Sequence, residues 1–563
     1  MKKINRRKFL ENTAVLTASG AMLGSLPLSN VRWKGNSFDL IIRNGSIING
    51  NGTKEYISDV GIKDGKLAAI ESLSSATADR IIDAKGLKVC PGFIDIHSHT
   101  DLDLIPNPKA ESKIRQGVTT EVCGQDGSSY GPYNLASINE TKARFLKTYD
   151  EEMTWDSLGG FLDAFSKRDF CVNLASMVGL GTVRAVVVGY DDRPATPDEL
   201  NRMQYEIEKA INEGAIGVSS GLEYTPGSFA STQELIDCFK VAPIKSRLYS
   251  THMRNEDNTV IEAVQEAIRI ARESEGRLLL SHLKVSGKTN WHKADQVLDL
   301  MNDAISEGIE THADRYTYVA YHTGLANLFP LWSRDGGNKK FLQRLNDKSL
   351  IDSMRNYSEF KVNNLDGGWD GVMISSMGNK DLKHYQGMTV KGIADETNVD
   401  GFEAARQMIL ESNNNVMMVG FGMEEESTIK ILKHPNCMIA SDGGSHAPYP
   451  PMNKSIAHPR SYGTFPRAIA HYQKELNICS LEEMIKKMTS MPADKLGIKN
   501  RGRLEQGKLA DVVVFDYKNI KDRAVFTDPH QYPDGIPFVL VNGKVVIDEG
   551  EHTGAMPGQI IKG

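Results

Sequence analysis

GFIDIHSHTDL, residues 92–102, begins as a short apolar strand and continues into two histidines separated by one residue. Side chains two residues apart point the same way in a β-strand, so His97 and His99 could reach one metal ion. An H-x-H pair alone is weak evidence for a metal site. The pair indicates a metal site only if other potential ligands stand at the ends of neighbouring strands.

The sequence around this segment predicts a regular alternation of buried strands and helices. The clearest helix lies between the fifth and sixth strands, where Val260, Val264 and Ile268 share one apolar face. Eight strands joined by crossover helices predict an α/β fold, a (β/α)8 TIM-like barrel. The predicted strands are 93–98, 118–123, 172–178, 215–219, 248–253, 278–283, 309–314 and 437–441.

Short β segments occur at both ends of the chain, outside this alternating region. Asp64-Gly65 and Asn542-Gly543 are typical two-residue hairpin turns. We therefore expect residues 38–91 and 500–563 to form one small β-sandwich domain, with the barrel between them at 92–499. Strands seven and eight are far apart in sequence, and residues 315–436, approximately, are expected to form an inserted subdomain, because structureless loops of that length are uncommon.

The composition excludes some classes of protein. The 563 residues are 40% hydrophobic and carry a net charge of -6, so no basic excess suggests a nucleic-acid partner. The six cysteines include no C-x-x-C pair, so a disulfide framework is not expected.

The first 30 residues differ from the rest. Arg6-Arg7 stands in a basic segment that precedes a mildly apolar run of small residues. This pattern predicts a twin-arginine signal peptide at 1–30, and hence the export machinery as a partner and a periplasmic or otherwise exported protein. The alternative is a disordered basic tail.

Potential ligands stand at the ends of four other predicted strands. They are Cys123, His252, His282 and Asp442. Active sites of such barrels lie at the carboxyl ends of the strands, so these side chains should meet His97 and His99 there. Imidazole, thiolate and carboxylate ligands together suit zinc better than magnesium or calcium.

Several longer motifs point to one family. Besides residues 92–102 they are GVTTEVCG (117–124), GLEYTPG (221–227), THMRNE (251–256), SHLK (281–284), SDG (441–443), HPRSYGTFPR (458–467) and GRLEQGKLAD (502–511). Together they resemble the D-aminoacylase, or N-acyl-D-amino-acid deacylase, branch of the amidohydrolase superfamily. The resemblance extends from about residue 38 to the C-terminus.

The resemblance implies zinc-dependent hydrolysis of the amide bond of N-acyl-D-amino acids, which are then the small-molecule partners. It implies one tightly bound zinc ion on Cys123, His252 and His282. A second, weaker site would consist of His97, His99 and Asp442.

The resemblance also implies the other roles in the site. Asp442 matches the catalytic acid and base, and Arg460 matches a residue that binds the substrate carboxylate. Lys284 and Tyr316 match further substrate contacts.

Local departures from the family leave alternatives open. Related enzymes bridge two metals through a carboxylated lysine on the fourth strand, but 214–221 contains no lysine, which leaves Cys123 as the expected bridge. Tyr321 and His322 stand where small residues are usual, so the pocket should be reshaped. Another amidohydrolase reaction, on a cyclic amide or a dipeptide, is the main alternative. A non-catalytic binding protein is a second one, although such a protein should have lost ligands.

Overall fold

A computed structural model describes residues 37–241 and 247–563. The predicted signal peptide at 1–30 therefore lies outside the described residues. Among the residues that are described, no helix combines the length and the apolar character needed to cross a membrane.

The described part of the chain contains 21 strands. In order they are β1 (Ser37–Ile47), β2 (Tyr56–Lys63), β3 (Lys66–Glu71), β4 (Thr77–Asp83), β5 (Lys88–Pro91), β6 (Phe93–Asp95), β7 (Val118–Cys123), β8 (Asn173–Ser176), β9 (Val178–Gly179), β10 (Gly217–Gly221), β11 (Leu248–His252), β12 (Arg277–Leu280), β13 (Thr311–Arg315), β14 (Tyr321–Gly324), β15 (Val372–Met377), β16 (Val416–Gly420), β17 (Cys437–Ile439), β18 (Val512–Phe515), β19 (Phe538–Val541), β20 (Lys544–Asp548) and β21 (Glu551–His552).

Helices follow most of the central strands. They are α1 (Glu111–Ile114), α2 (Leu135–Tyr149), α3 (Leu158–Phe165), α4 (Leu180–Val187), α5 (Pro197–Glu213), α6 (Thr232–Phe239), α7 (Val260–Ser274), α8 (Ala294–Ser306), α9 (Gly337–Leu345), α10 (Ile351–Val362), α11 (Val390–Thr397), α12 (Gly401–Glu411), α13 (Glu425–Lys433), α14 (Arg460–Arg467), α15 (Leu481–Met488) and α16 (Ser490–Leu496). A π-helix spans Ala468–Glu475. Short 3-10 helices lie at 101–104, 227–229, 291–293, 325–328, 331–334, 368–371 and 380–385.

The central strands form two parallel sheets in an α/β arrangement. One has the order β17-β13-β12-β11-β10-β9, and the other has the order β6-β7-β8. Each of the eight predicted segments contains a strand, but the first ends at Asp95, two residues before His97. The third is divided into β8 and β9. Helix α7 buries Val264 and Ile268 as its apolar stripe predicts.

Strands from both ends of the chain lie in one nine-stranded sheet. Its two predicted hairpins are present, and Asp64, Gly65, Asn542 and Gly543 all have positive φ, as a tight turn of this kind requires. The long strand β1 pairs with β2 on one side, and with β4 and then β5 on the other. Strands from the two chain ends are thus joined in one hydrogen-bonded path, because β1 is long enough to pair with both groups of strands.

The region between β13 and β17 has its own small sheet and core. Strands β14, β16 and β15 pair antiparallel in that order. Helices α9 to α12 cover them around a separate buried cluster that includes Phe329, Phe402 and Met418. Residues Tyr321, His322 and Ser375 of this sheet line a cavity above the parallel strands.

A buried lysine ties the first parallel strand to the segment that follows the last one. Lys113 is fully buried, and its Nζ donates to Asp95 Oδ2 at 2.8 Å, to Ser441 Oγ at 2.7 Å and to the carbonyl oxygen of Gly443 at 2.6 Å. Burial by itself would lower the pKa of Lys113, but Asp95 and Glu121 raise it above its usual value. The ammonium group is therefore charged, and its acceptors compensate for the lost hydration.

We expect Lys113→Met to lower the free energy of unfolding by about 3–5 kcal/mol, because Asp95 would remain buried without its cation. Denaturant unfolding followed by circular dichroism measures the change. Lys167→Met, which removes an exposed lysine, is the matched control and should change stability by less than about 0.5 kcal/mol. Equal stabilities of the two variants would contradict this role for Lys113.

Candidate metal centre

Five of the six predicted ligands meet at the carboxyl ends of the parallel strands. His97 and His99 follow β6, His252 ends β11, His282 follows β12 and Asp442 follows β17. A cavity of about 950 Å³ opens over this position, and four of the five line it. His97 lies beneath them and is fully buried.

The first group of possible ligands surrounds Asp442. His99 Nε2 lies 3.0 Å from Asp442 Oδ1, and His97 Nε2 lies 3.7 Å from the same oxygen. Asp126 completes this group, with its Oδ1 3.4 Å from His97 Nε2 and its Oδ2 3.4 Å from His99 Nε2. One ligand atom from each of these four residues lies within 4.8 Å of the others.

The second group contains Asp126, His252 and His282. His282 Nε2 lies 3.4 Å from Asp126 Oδ1 and 2.9 Å from His252 Nδ1. Asp126 therefore belongs to both groups. No prediction from the sequence included this residue.

The donor atoms of these groups fit a zinc ion. Both ring nitrogens of His97, the Oδ1 of Asp126 and the Nε2 of His252 are buried without a hydrogen-bond partner. Buried polar atoms are rarely left unpaired. His97 Nε2 and Asp126 Oδ1 face each other in the first group, whereas His97 Nδ1 lies 3.5 Å from Asp314 Oδ1 and His252 Nε2 lies 3.6 Å from Glu223 Oε2. Imidazole nitrogens and carboxylate oxygens are ordinary zinc ligands.

Both carboxylates of the site are ionised. Burial alone would raise the pKa of Asp126, but His97 and His282 hold it well below its ordinary value. Burial alone would also raise the pKa of Asp442, but Arg460 and His282 hold it well below its ordinary value. The site thus presents two anions to a cation.

Cys123 is not brought to either group. Successive strand residues point to opposite faces, and Val122 packs with Ile96 on one side of β7 while Cys123 joins the core on the other side. Its Sγ accepts the backbone N–H of Asp101 at 3.2 Å, and burial raises the pKa of the thiol well above its usual value. The structure therefore does not bring Cys123 into either group of possible metal ligands, although the sequence predicts it there, and Asp126, three residues further on, belongs to both groups instead.

A signal for Asp126 was present in the sequence. Gly124-Gln-Asp126-Gly127 is an acid between two glycines immediately after a buried strand. Gly124, Asp126 and Gly127 all have positive φ, so the chain turns sharply and carries the carboxylate over the strand ends. Asp126 lies three residues beyond the end of β7, so a rule that takes ligands from the ends of strands does not include it.

The three predicted substrate residues occupy different positions. Arg460 begins α14 and lines the cavity, with its Nη1 2.6 Å from Asp442 Oδ2. Lys284 also lines the cavity, and its Nζ lies 2.7 Å and 2.8 Å from the two carboxylate oxygens of Glu256. Tyr316 is fully buried and does not line the cavity; the guanidinium carbon of Arg460 lies 4.9 Å from its ring centre. Tyr316 thus packs against the guanidinium group of Arg460 without lining the cavity itself.

Glu256 was also missed from the sequence. Its Oε1 lies 3.0 Å from His282 Nδ1, the ring nitrogen opposite the one that faces Asp126. Lys284 Nζ lies 2.7 Å from the same ring nitrogen and also contacts Glu256, so these two side chains together orient the imidazole. The sequence contains it as the last residue of 251–256, without a sign that it would turn back towards His282.

Comparisons with known proteins relate the chain to a family of hydrolases. The family model described as the amidohydrolase family matches residues 80–237 and 430–547. A D-aminoacylase of Alcaligenes xylosoxydans xylosoxydans is 32% identical over 524 residues, which cover 93% of this chain and 97% of that protein.

Solved structures show the same likeness. An N-acyl-D-glutamate deacylase of Bordetella bronchiseptica, complexed with zinc and a phosphonate inhibitor, superposes with a TM-score of 0.79 at 29% identity, covering 94% of this chain and all of that one. A D-aminoacylase with a binuclear metal centre superposes with a TM-score of 0.78 at 31% identity, covering 93% and 100%. The chain belongs to the amidohydrolase family.

Proposed function

We propose that this protein is a zinc-dependent hydrolase that cleaves the amide bond of N-acyl-D-amino acids and releases a carboxylic acid and a D-amino acid. The observation that carries the proposal is Arg460, a cavity-lining cation 2.6 Å from Asp442, which belongs to the first group of possible metal ligands. Relatives similar over nearly the whole chain are named D-aminoacylase, N-acyl-D-aspartate deacylase and N-acyl-D-glutamate deacylase.

The zinc would be held by His97, His99, Asp126, His252, His282 and Asp442. When bound there, it polarises the acyl carbonyl and lowers the pKa of water to about 7. The two groups of donors offer places for two ions.

Asp442 is the residue suited to move the proton. Its Oδ1 faces His99 and His97, while its Oδ2 accepts from Arg460, so it lies between the ligand groups and the cation. In this position it takes a proton from the attacking water and returns it to the leaving amine. The amine then departs from the tetrahedral carbon as the C–N bond breaks.

Arg460 is suited to bind the α-carboxylate of the substrate. A guanidinium has five N–H donors, and Asp442 uses one of them. The others can pair with a carboxylate in the cavity, which holds the scissile amide over Asp442. With the carboxylate, the carbonyl and the amine all positioned, the side chain can project in one direction, and this geometry selects one enantiomer.

We also propose that the two parallel sheets close into one eight-stranded barrel at 92–499, with 315–436 inserted. The backbone N–H of Asp442 donates to the carbonyl of His97 at 2.9 Å, and that of Ile216 donates to Ser176 at 2.9 Å. These bonds link the edges of the sheets and support closure.

The test of the proposed reaction compares an N-acyl-D-amino acid with its L form and its α-carboxamide. We expect the wild type to hydrolyse the D acid far faster than the other two. Arg460→Ala should lower kcat/KM on the D acid by about 10–100-fold, as for a charged hydrogen bond of about 1.5–3 kcal/mol, and affect the carboxamide much less. Arg467→Ala, in the same helix but away from the cavity, is the control. Equal losses on both substrates would show that Arg460 does not bind the carboxylate.

Asp442→Asn should retain zinc on the remaining ligands but lose turnover, because an amide cannot accept the proton. General acid–base groups contribute about 10²–10⁴-fold, and kcat should fall by that amount. Zinc content is measured on the same preparation by elemental analysis. Retention of more than a tenth of wild-type kcat would assign the proton transfer to another residue.

Export through the twin-arginine machinery remains our proposal for the location of the protein. It is based on Arg6-Arg7 and the apolar run that follows. We expect the full chain to fractionate with the periplasm, and Arg6→Lys together with Arg7→Lys to retain it in the cytoplasm, since the pair is the recognised feature. Unchanged fractionation of the double variant would refute this route.

A further inference from the structure

The carboxylate of Asp126 stands between the two groups of metal ligands. Its Oδ1 is 3.4 Å from His97 Nε2 in the first group and 3.4 Å from His282 Nε2 in the second. Its Oδ2 is 3.4 Å from His99 Nε2. Two ligand atoms that each lie about 2.0–2.1 Å from a tetrahedral zinc ion are about 3.4 Å apart. All three nitrogen–oxygen distances therefore match the distance expected between two atoms that bind the same ion.

The backbone around Asp126 holds the carboxylate in this position. Ser219 of β10 donates its hydroxyl to the carbonyl of Gly124 at 2.6 Å and accepts the N–H of Gly127 at 3.1 Å. Asp126 itself has a φ of 52°, a conformation that aspartate tolerates better than most residues. A Cβ at Gly221 would lie 2.0 Å from the carbonyl oxygen of Asp126, so the loop can rest on the end of β10 because this residue is glycine.

A lysine of the fourth strand, Cys123 and Glu121 do not take the bridging position. Strand β10 reads GVSSG and contains no lysine. Cys123 faces away from the site, and Glu121 accepts from Ser98 and lies 3.4 Å from Lys113. Within residues 37–241 and 247–563, Asp126 is the one residue common to both ligand groups.

We propose that Asp126 bridges two divalent metal ions, one on the side of His97, His99 and Asp442 and the other on the side of His252 and His282. The centre is then bridged by a carboxylate and contains no sulfur ligand. This inference rests on the proposed function for the presence of metal, but it concerns how the metals are held. Since both ions share one anion, loss of Asp126 should weaken both sites.

A centre of nitrogen and oxygen ligands should accept manganese(II), which thiolate sites disfavour. Metal-free protein is loaded with manganese(II), separated from free ion by gel filtration, and examined by elemental analysis and electron paramagnetic resonance. We expect the wild type to hold two ions per chain with the spectrum of an exchange-coupled pair. Asp126→Ala and Asp126→Asn should hold one ion or none and show no coupling.

Cys123→Ser is the matched control, because it changes the residue that ends the same strand without touching either ligand group. It should keep two coupled ions. Coupled pairs in the Asp126 variants, loss of the pair in Cys123→Ser, or a single ion in the wild type would each overturn the proposal. Asp126→Asn keeps the size of the side chain, and thermal unfolding of the metal-free proteins verifies that each variant is folded.

Hydrolysis by the wild type is measured separately, so the two proposals fail in different ways. If the wild type hydrolyses N-acyl-D-amino acids while the Asp126 variants keep a coupled pair, the bridge is wrong and the proposed function stands. If the coupled pair depends on Asp126 but none of these substrates is hydrolysed, the bridge stands and the proposed function is wrong.

Discussion

The ammonium group of Lys113 connects the parts of the chain that carry half of the metal centre. A buried charge is costly unless it is paired and hydrogen-bonded, and Lys113 meets this condition only if Asp95, Ser441 and Gly443 all lie around it. Asp95 ends β6 just before His97, and Ser441 immediately precedes Asp442. The interaction therefore sets the distance between the first strand and the last, and with it the separation of their ligands.

The sequence predicts the strands and most of the ligands for a simple reason. Buried parallel strands are short, nearly continuous apolar runs, and a polar residue at the end of such a run stands out. His252, His282 and Asp442 could be located in this way. The same rule could not locate Asp126, since it lies in a turn whose direction depends on positive φ at Gly124 and Gly127 and on Ser219, almost a hundred residues away.

The error at Cys123 has a related cause. Both faces of β7 are buried, so hydrophobicity does not distinguish the side that faces the cavity from the side that faces the helices. Pairing between distant strands is equally hard to predict from sequence, and the pairing of β5 with β18 that joins the two chain ends is not predicted. The contact between Tyr316 and Arg460 likewise depends on the packing of α14, which no local sequence pattern predicts.

The pairing of β5 with β18 has a consequence for the way the molecule is made. Val89 and Cys90 find their partners Val514 and Val513 more than four hundred residues later. Contacts between such distant segments form only after a very long loop has closed, and closing it costs conformational entropy. Such contacts therefore slow folding. The sheet cannot be completed while the C-terminal strands are still unsynthesised. The edges of its early strands therefore remain unpaired until synthesis is complete. During this period a nascent chain is most exposed to aggregation and gains most from a chaperone.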